Sequence, residues 1–254
     1  MSKSNQRIRM MEKVLKEQES VSVKKMSELL HVSEMTVRRD LISAQNHCRI
    51  RNIRGLLIYD SAEKNKYSIS DAMDANSNEK MRIGAAAAAM ICENDVVMLD
   101  IGSTTEYVAR ALNPDLKATV ICTGCNALTY LTQKKNLKIF CTGGEFHADT
   151  QLLESEESLV FLNRIRATRL FASAAGIHQR LGVTCVNSYE VPIKKALIAS
   201  SAERILLVDS SKFGCVQSSC FTTLSCYQKI ITDTNITPEW EQYLLQKGIE
   251  LIKV

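Results

Sequence analysis

Apolar residues recur at helical spacing three times near the start of the chain. Ile8, Met11, Val14 and Leu15 mark one face of a first helix, and Met26, Leu29 and Leu30 one face of a second that Ser22 can cap. His31-Val32-Ser33 then reads as a short turn, and Ser33 sits where an N-cap belongs. A third helix follows, with Met35, Val37, Leu41 and Ile42 as its inward candidates. Helix, three-residue turn, helix is the helix-turn-helix arrangement. Beyond it, residues 49–58 alternate basic and apolar positions, as a two-stranded wing would.

From Glu79 onward the pattern changes. An alanine-rich helix over Ile83 to Cys92 precedes Val96-Val97-Met98-Leu99, a continuous apolar run of the kind a strand buried on both faces shows. Strand patterns at 119–122, 137–141, 170–172, 205–209, 229–232 and 249–252 then alternate with helical ones at 128–132, 190–201 and 238–246. That alternation predicts an α/β domain with a largely parallel sheet. Domains are expected at 1–59 and 79–254, joined by a polar linker over 60–78.

Charge sharpens this division. The whole chain of 254 residues carries only +4, but residues 1–59 hold twelve Lys/Arg against six Asp/Glu, leaving +6 there and −2 in the remainder. The basic excess sits on the helix-turn-helix and points to the phosphate backbone of double-stranded DNA as partner. Ser33 and Thr36 are expected to position the recognition helix, Arg38 and Arg39 to enter the major groove, and Arg49, Arg51 and Arg54 to meet phosphates. Asp40 is expected to orient one of the neighbouring arginines. An arginine pair on a helix is ordinarily a solvated face; here the cap, the turn and the basic wing coincide with it.

Residues following the strands carry the candidate chemistry of the second domain, because open α/β sheets bind ligands at the carboxyl ends of strands. Asp100, Gly102, Ser103, Thr104 and Thr105 follow the first strand, Gly143 and Gly144 another, Gly176 a third, and Asp209 and Lys212 a fourth; Glu190 and Lys194 lie four apart on a helix. Glycine lets backbone approach an anion, hydroxyls and a helix N-terminus supply donors, and lysine supplies a point charge. Together these loops suit a small phosphorylated, hydroxylated effector. The nine cysteines show irregular spacing, and with no export signal they read as reduced thiols of a cytoplasmic protein. Cys122-Thr123-Gly124-Cys125 could be a redox pair or half a zinc site, but no second pair at metal spacing accompanies it and His147 stands alone in the sequence. Neither metal nor cofactor is expected.

Val32-Ser33-Glu34-Met35-Thr36-Val37-Arg38-Arg39-Asp40-Leu41 resembles the helix-turn-helix tract of the DeoR family of bacterial repressors. Glu79-Lys80, Asp100-Ile101-Gly102-Ser103-Thr104-Thr105, Gly143-Gly144-Glu145 and Asp209-Ser210-Ser211-Lys212-Phe213-Gly214 resemble that family's sensor domain, so the likeness covers nearly the whole chain. It implies a winged helix-turn-helix followed by a domain similar to sugar-phosphate isomerases and CoA transferases. It also implies an oligomeric repressor released by a sugar phosphate. Three further tracts, at 143–148, 173–178 and 190–194, resemble a member of the family that controls deoxynucleoside breakdown, which implies deoxyribose 5-phosphate. The alternative is a sugar-phosphate isomerase-like enzyme. Such chemistry needs a positioned base, and residues 170–178, where related isomerases carry acidic groups, contain no Asp or Glu. A sugar kinase, suggested by Asp-x-Gly-Ser-Thr, needs a second phosphate loop that the sequence does not show.

Overall fold

The computed structural model describes residues 3–18, 20–44, 50–59 and 67–254. The chain divides into two compact units, Met1–Asn65 with Gly214–Val216, and Lys66–Phe213 with Gln217–Val254. No helix among the described residues is long and apolar enough to cross a membrane.

The first unit contains α1 (Lys3–Gln18), β1 (Ser20–Ser22), α2 (Val23–Leu29), α3 (Glu34–Ser43), β2 (Ile50–Ile53) and β3 (Leu56–Tyr59). Ser22 Oγ accepts from the Lys25 amide at 3.1 Å and Ser33 Oγ from the Thr36 amide at 3.2 Å, so both expected caps form. The wing is an antiparallel β2–β3 hairpin turned through Arg54 and Gly55, both at positive φ as a two-residue hairpin turn requires. A third strand, β1, joins β3 on its other edge; its three residues are too short to announce themselves in the sequence. The core comprises Ile8, Met11, Leu15, Met26, Val37, Leu41, Ile50 and Leu57.

Three expectations for this unit are corrected. Met35, Ile42 and Leu29 are not inward: they are 75%, 66% and 39% exposed. Val37 and Leu41, four apart, already supply the buried stripe of α3. Asp40 feels the charge of Arg39, but its hydrogen bonds run to the first helix. Its carboxylate is buried and accepts from Arg7 Nε at 2.6 Å, Arg7 Nη2 at 2.9 Å and Ser4 Oγ at 2.7 Å, tying α3 to α1. The hydrogen bond from Arg7, aided by that from Ser4, outweighs burial and holds the Asp40 carboxyl below its ordinary range.

The second unit begins before the expected boundary at 79. Within the segment expected to be linker, residues 60–66 lie outside the described residues. From Tyr67 on the chain is structured: α4 (Ile69–Asp74) buries Ile69, and α5 (Ser77–Ala89) follows. The chain then runs β4 (Val96–Leu99), α6 (Ser103–Ala111), β5 (Thr119–Cys122), α7 (Cys125–Leu131), β6 (Lys138–Cys141), β7 (Glu145–His147) and β8 (Leu152–Glu154). It continues through α8 (Glu156–Arg164), β9 (Ala167–Ser173), β10 (Gly176–His178), β11 (Gly182–Cys185), α9 (Glu190–Ala199), β12 (Ser201–Leu207), β13 (Ser219–Thr222), β14 (Lys229–Thr232), α10 (Pro238–Gln246) and β15 (Glu250–Lys253).

Seven strands form one parallel sheet in the order β15-β14-β12-β9-β4-β5-β6. Met98, Leu170 and Leu206 point to a core completed by Leu162, Leu197, Trp240 and Leu244 of α8, α9 and α10. Val97, Leu99, Phe171 and Leu207 point the other way, to Ile83, Val108 and Leu131 of α5, α6 and α7. Helices on both faces are why these strands read as unbroken apolar runs. The acidic tract Glu154-Ser155-Glu156-Glu157 leads into α8. Ser155 Oγ accepts from the Ser158 amide at 3.1 Å, and two glutamates sit in the first turn of α8, at the positive end of its dipole.

Candidate functional site

Strand order locates a candidate ligand cleft in the second unit. From β4 the chain moves to β5 and β6 on one side, then returns to β9 on the other and continues outward through β12, β14 and β15. The order therefore reverses between β4 and β9, and a crevice opens at the carboxyl ends of strands flanking such a switch point. A cleft lies there, lined by Gly102, Ser103 and Thr104 after β4, Ser173 to Ala175 at the end of β9, and Asp209 and Lys212 after β12. Glu190 and Lys194 of α9 and Lys80 of α5 complete its polar lining.

Of the residues singled out from the sequence, the structure brings Gly102, Ser103, Thr104, Glu190, Lys194, Asp209 and Lys212 together in this cleft. Gly102 is required by close approach: a Cβ there would lie 2.4 Å from Ser173 Oγ. Asp100 and Thr105 lie beneath the cleft and build it. The Thr105 hydroxyl donates to the carbonyls of Asp100 at 2.7 Å and Gly102 at 3.0 Å. Asp100 is fully engaged by protein donors, taking the Ile101 amide at 2.8 Å on Oδ1, and the Ser173 amide at 3.0 Å and Lys194 Nζ at 2.6 Å on Oδ2.

Gly143 and Gly144 are not at the cleft. They line a separate groove with Phe140, Ser158 and Phe161, and Gly144, at φ +121°, packs where a Cβ would lie 2.0 Å from the Glu154 carbonyl. Their loop leads into the β7–β8 hairpin, a detour invisible in strand periodicity. Gly176 pairs with Thr184 inside β10 and is buried; its predecessors Ala174 and Ala175 reach the cleft instead.

Lys80, Thr150 and Cys185 belong to the cleft without having been foreseen. Lys80 stands in a tract already noted for its family likeness, which was the available signal. Its ammonium donates to the carbonyls of Ala72 and, at 2.6 Å, Ala75. Burial and, against the attraction of Asp209, the nearby Lys212 charge bring its pKa down to about 8. An anion in the cleft would reverse that effect. Asp209 offers a complementary feature. Oδ1 accepts from Asn76 Nδ2 at 3.0 Å and the Ser211 amide at 3.1 Å, whereas Oδ2 is buried with no hydrogen-bond partner among the described residues. A ligand hydroxyl would satisfy it.

Lys194 anchors the cleft floor. Its side chain is 3% exposed, paired with Asp100 at 2.6 Å and with Glu190 at 3.9 Å. Burial works against the charged amine, but Asp100 and Glu190 outweigh it and hold its pKa above the ordinary lysine value. Burial likewise raises Glu190. The loop after β9 brings no carboxylate, as the sequence indicates. Glu190 and Asp209, however, enter the cleft from α9 and the end of β12, so the composition of one loop does not describe its acid–base content.

Cys122 and Cys185 are buried, as packing residues are, while Cys92 and Cys220 are exposed. Cys122 is buried at the end of β5, opposite Cys141 on β6, and its hydrogen bond with Cys141 and its burial push its thiol far up. His147 is not alone in space: strand pairing sets it beside Glu145 and Glu154, with ligand-type atoms within 4.8 Å of one another, while its ring stacks on Tyr189 at 3.7 Å.

In the first unit Ser33, Thr36, Arg38 and Arg39 share one face of α3 with Met35 and Ile42. Ser33 and Thr36 hydroxyls bond each other at 2.9 Å, so they shape the helix start, and Arg38 lies 3.8 Å from Glu34. Arg54 is exposed at the wing turn, whereas Arg51, expected to meet phosphate, is half-buried on β2 and donates from Nη2 to the Val216 carbonyl at 2.7 Å; Arg49 lies outside the described residues.

Comparison with known proteins agrees with both units. Residues 7–63 match the DeoR-like helix-turn-helix domain and residues 75–234 the DeoR C-terminal sensor domain. The chain is 29% identical to the deoxyribose operon repressor of Escherichia coli over 252 residues, 99% of each chain. It is 27% identical to the HTH-type transcriptional repressor GlcR of Bacillus subtilis, covering 94% of this chain and 92% of that one. Among solved structures, ribose 5-phosphate isomerase A from Methanocaldococcus jannaschii is similar at 17% identity over 55% of each chain, with a TM-score of 0.40, a likeness too partial to speak to activity. With a helix-turn-helix domain matched over residues 7–63 and a sensor domain over 75–234, the chain belongs to the DeoR family of transcriptional regulators.

Proposed function

We propose that this chain represses a sugar or deoxynucleoside catabolic operon and leaves its operator when a phosphorylated sugar, deoxyribose 5-phosphate, fills the cleft of the second unit. The observation that carries the reading is the mixed polar lining of that cleft. Lys80, Lys212 and the N-terminal amides of α6 supply donors for a phosphate, and the same cleft holds Asp209 Oδ2 and Glu190 as acceptors for hydroxyls. The full-length similarity to a repressor named for a deoxyribose operon supports the choice of sugar. Arg38 and Arg39 read the major groove, with Ser33 and Thr36 setting the helix start and Arg54 at the wing turn holding a phosphate. One such module reads a short half-site, so the working form is a symmetric oligomer, a dimer or higher. The ligand acts by binding one conformation better than another, not by tight binding alone.

A thermal-shift panel of sugar phosphates tests the site. Deoxyribose 5-phosphate at about 100 times its Kd should stabilise the protein by about 2.7 kcal/mol, and inorganic phosphate by less. Lys212→Ala should melt as the parent does without ligand and lose most of the shift. An unchanged shift in that variant removes Lys212 from the site, and turnover of the sugar would favour the isomerase-like alternative.

A further inference from the structure

The recognition helix exposes more apolar surface than its fold needs. Val37 and Leu41 fill the core, yet Met35 and Ile42 stand 75% and 66% exposed. A single exposed apolar residue is ordinary. Here two large ones share a face with two arginines: positions 35, 38, 39 and 42 follow the three-and-four spacing of one helix side, and they line a single shallow groove with Ser33 and Thr36. Both flank the cations, so whatever covers this face is anionic and offers apolar groups at its edges.

Duplex DNA meets that description in one way. In the major groove the apolar group presented by the bases is the thymine 5-methyl, and guanine presents the acceptor pair that arginine reads. We propose that Met35 and Ile42 are specificity-determining residues that pack on thymine methyls, one on each side of the bases read by Arg38 and Arg39. This inference rests on the DNA-reading role of α3 proposed above. Spacing adds a geometric constraint. Seven residues at 1.5 Å rise separate the two side chains by about 10 Å along the helix. That corresponds to about three base-pair steps of 3.4 Å. Each half-site should therefore carry two thymines about three base pairs apart, with guanine between them.

The test uses the full-length chain and a duplex it enriches from a randomised pool. Each thymine of that duplex is replaced in turn by deoxyuridine, which removes only the methyl. Two positions, about three base pairs apart, should each weaken binding by about three- to tenfold. Met35→Ala should bind the thymine and deoxyuridine forms equally at one of these positions, and Ile42→Ala at the other. Because both side chains are exposed, the variants should melt as the parent does. If every deoxyuridine duplex binds within twofold of the thymine form, or if the variants keep the parent's discrimination, the inference fails while DNA reading stands. If no sequence is enriched from the pool, the DNA-reading role fails with it.

Discussion

Replacing Lys194 with methionine is expected to cost the second unit about 3–5 kcal/mol, because one partner of a buried ion pair is removed and the other remains. Asp100 and Glu190 have side chains 1% and 8% exposed, so neither carboxylate can turn to water when the ammonium is gone. The loss should appear in urea melts as a lower midpoint with an unchanged slope. Lys194→Met with Asp100→Asn should recover part of it, since the double change removes the stranded charge as well as the amine. The pH dependence follows from the sign of the shift. The Lys194 pKa is held above its unfolded value of 10.5, so the contribution is fully present below that value and fades only as pH rises through the folded pKa. A loss below about 1 kcal/mol would mean that the cleft floor is held by packing rather than by this pair.

Removing Arg38 or Arg39 should separate sequence reading from phosphate attraction. Each arginine-to-guanine pair is worth about 1–3 kcal/mol of discrimination, so either alanine variant should lower affinity for a selected duplex about 5- to 150-fold and relax preference at one base. In a symmetric oligomer the loss is felt at both half-sites. Arg54→Ala, at the wing turn, should instead weaken all duplexes alike and flatten the salt dependence by about one counterion. Competition assays against random duplex across a salt series distinguish the two patterns. Equal weakening of selected and random DNA by Arg38→Ala and Arg39→Ala would assign these residues to the backbone.

How far the sequence was readable depended on which forces are local. The parallel strands were plain because both faces of the sheet are covered, and Pro238 marked the first turn of α10 where it forms. The caps at Ser22 and Ser33 are contacts within three residues and were equally plain. The inward face of α3 was not. Met35, Val37, Leu41 and Ile42 spread apolar groups around the helix, and only packing against α1, α2 and the short sheet selects Val37 and Leu41. The loops after β4 and β12 reached the cleft as strand-end logic requires. Gly143 and Gly144 did not, because β7 and β8 carry their loop into a hairpin. Lys80 arrives from a helix that precedes the sheet, and no strand pattern points to it. Strand order is the missing quantity throughout: the switch point between β4 and β9 fixes the cleft, and it exists only in three dimensions.

Occupation of the cleft by a sugar phosphate should loosen the grip of the recognition helix, and one titration examines that coupling. Fluorescence anisotropy of the selected duplex is followed against full-length protein at fixed salt, with and without saturating deoxyribose 5-phosphate. A coupling of about 1–3 kcal/mol should raise the apparent Kd for DNA about 5- to 150-fold, and Lys212→Ala should bind DNA as the parent does yet respond weakly to the sugar. An operator affinity that stays the same when the cleft is demonstrably full would contradict the account.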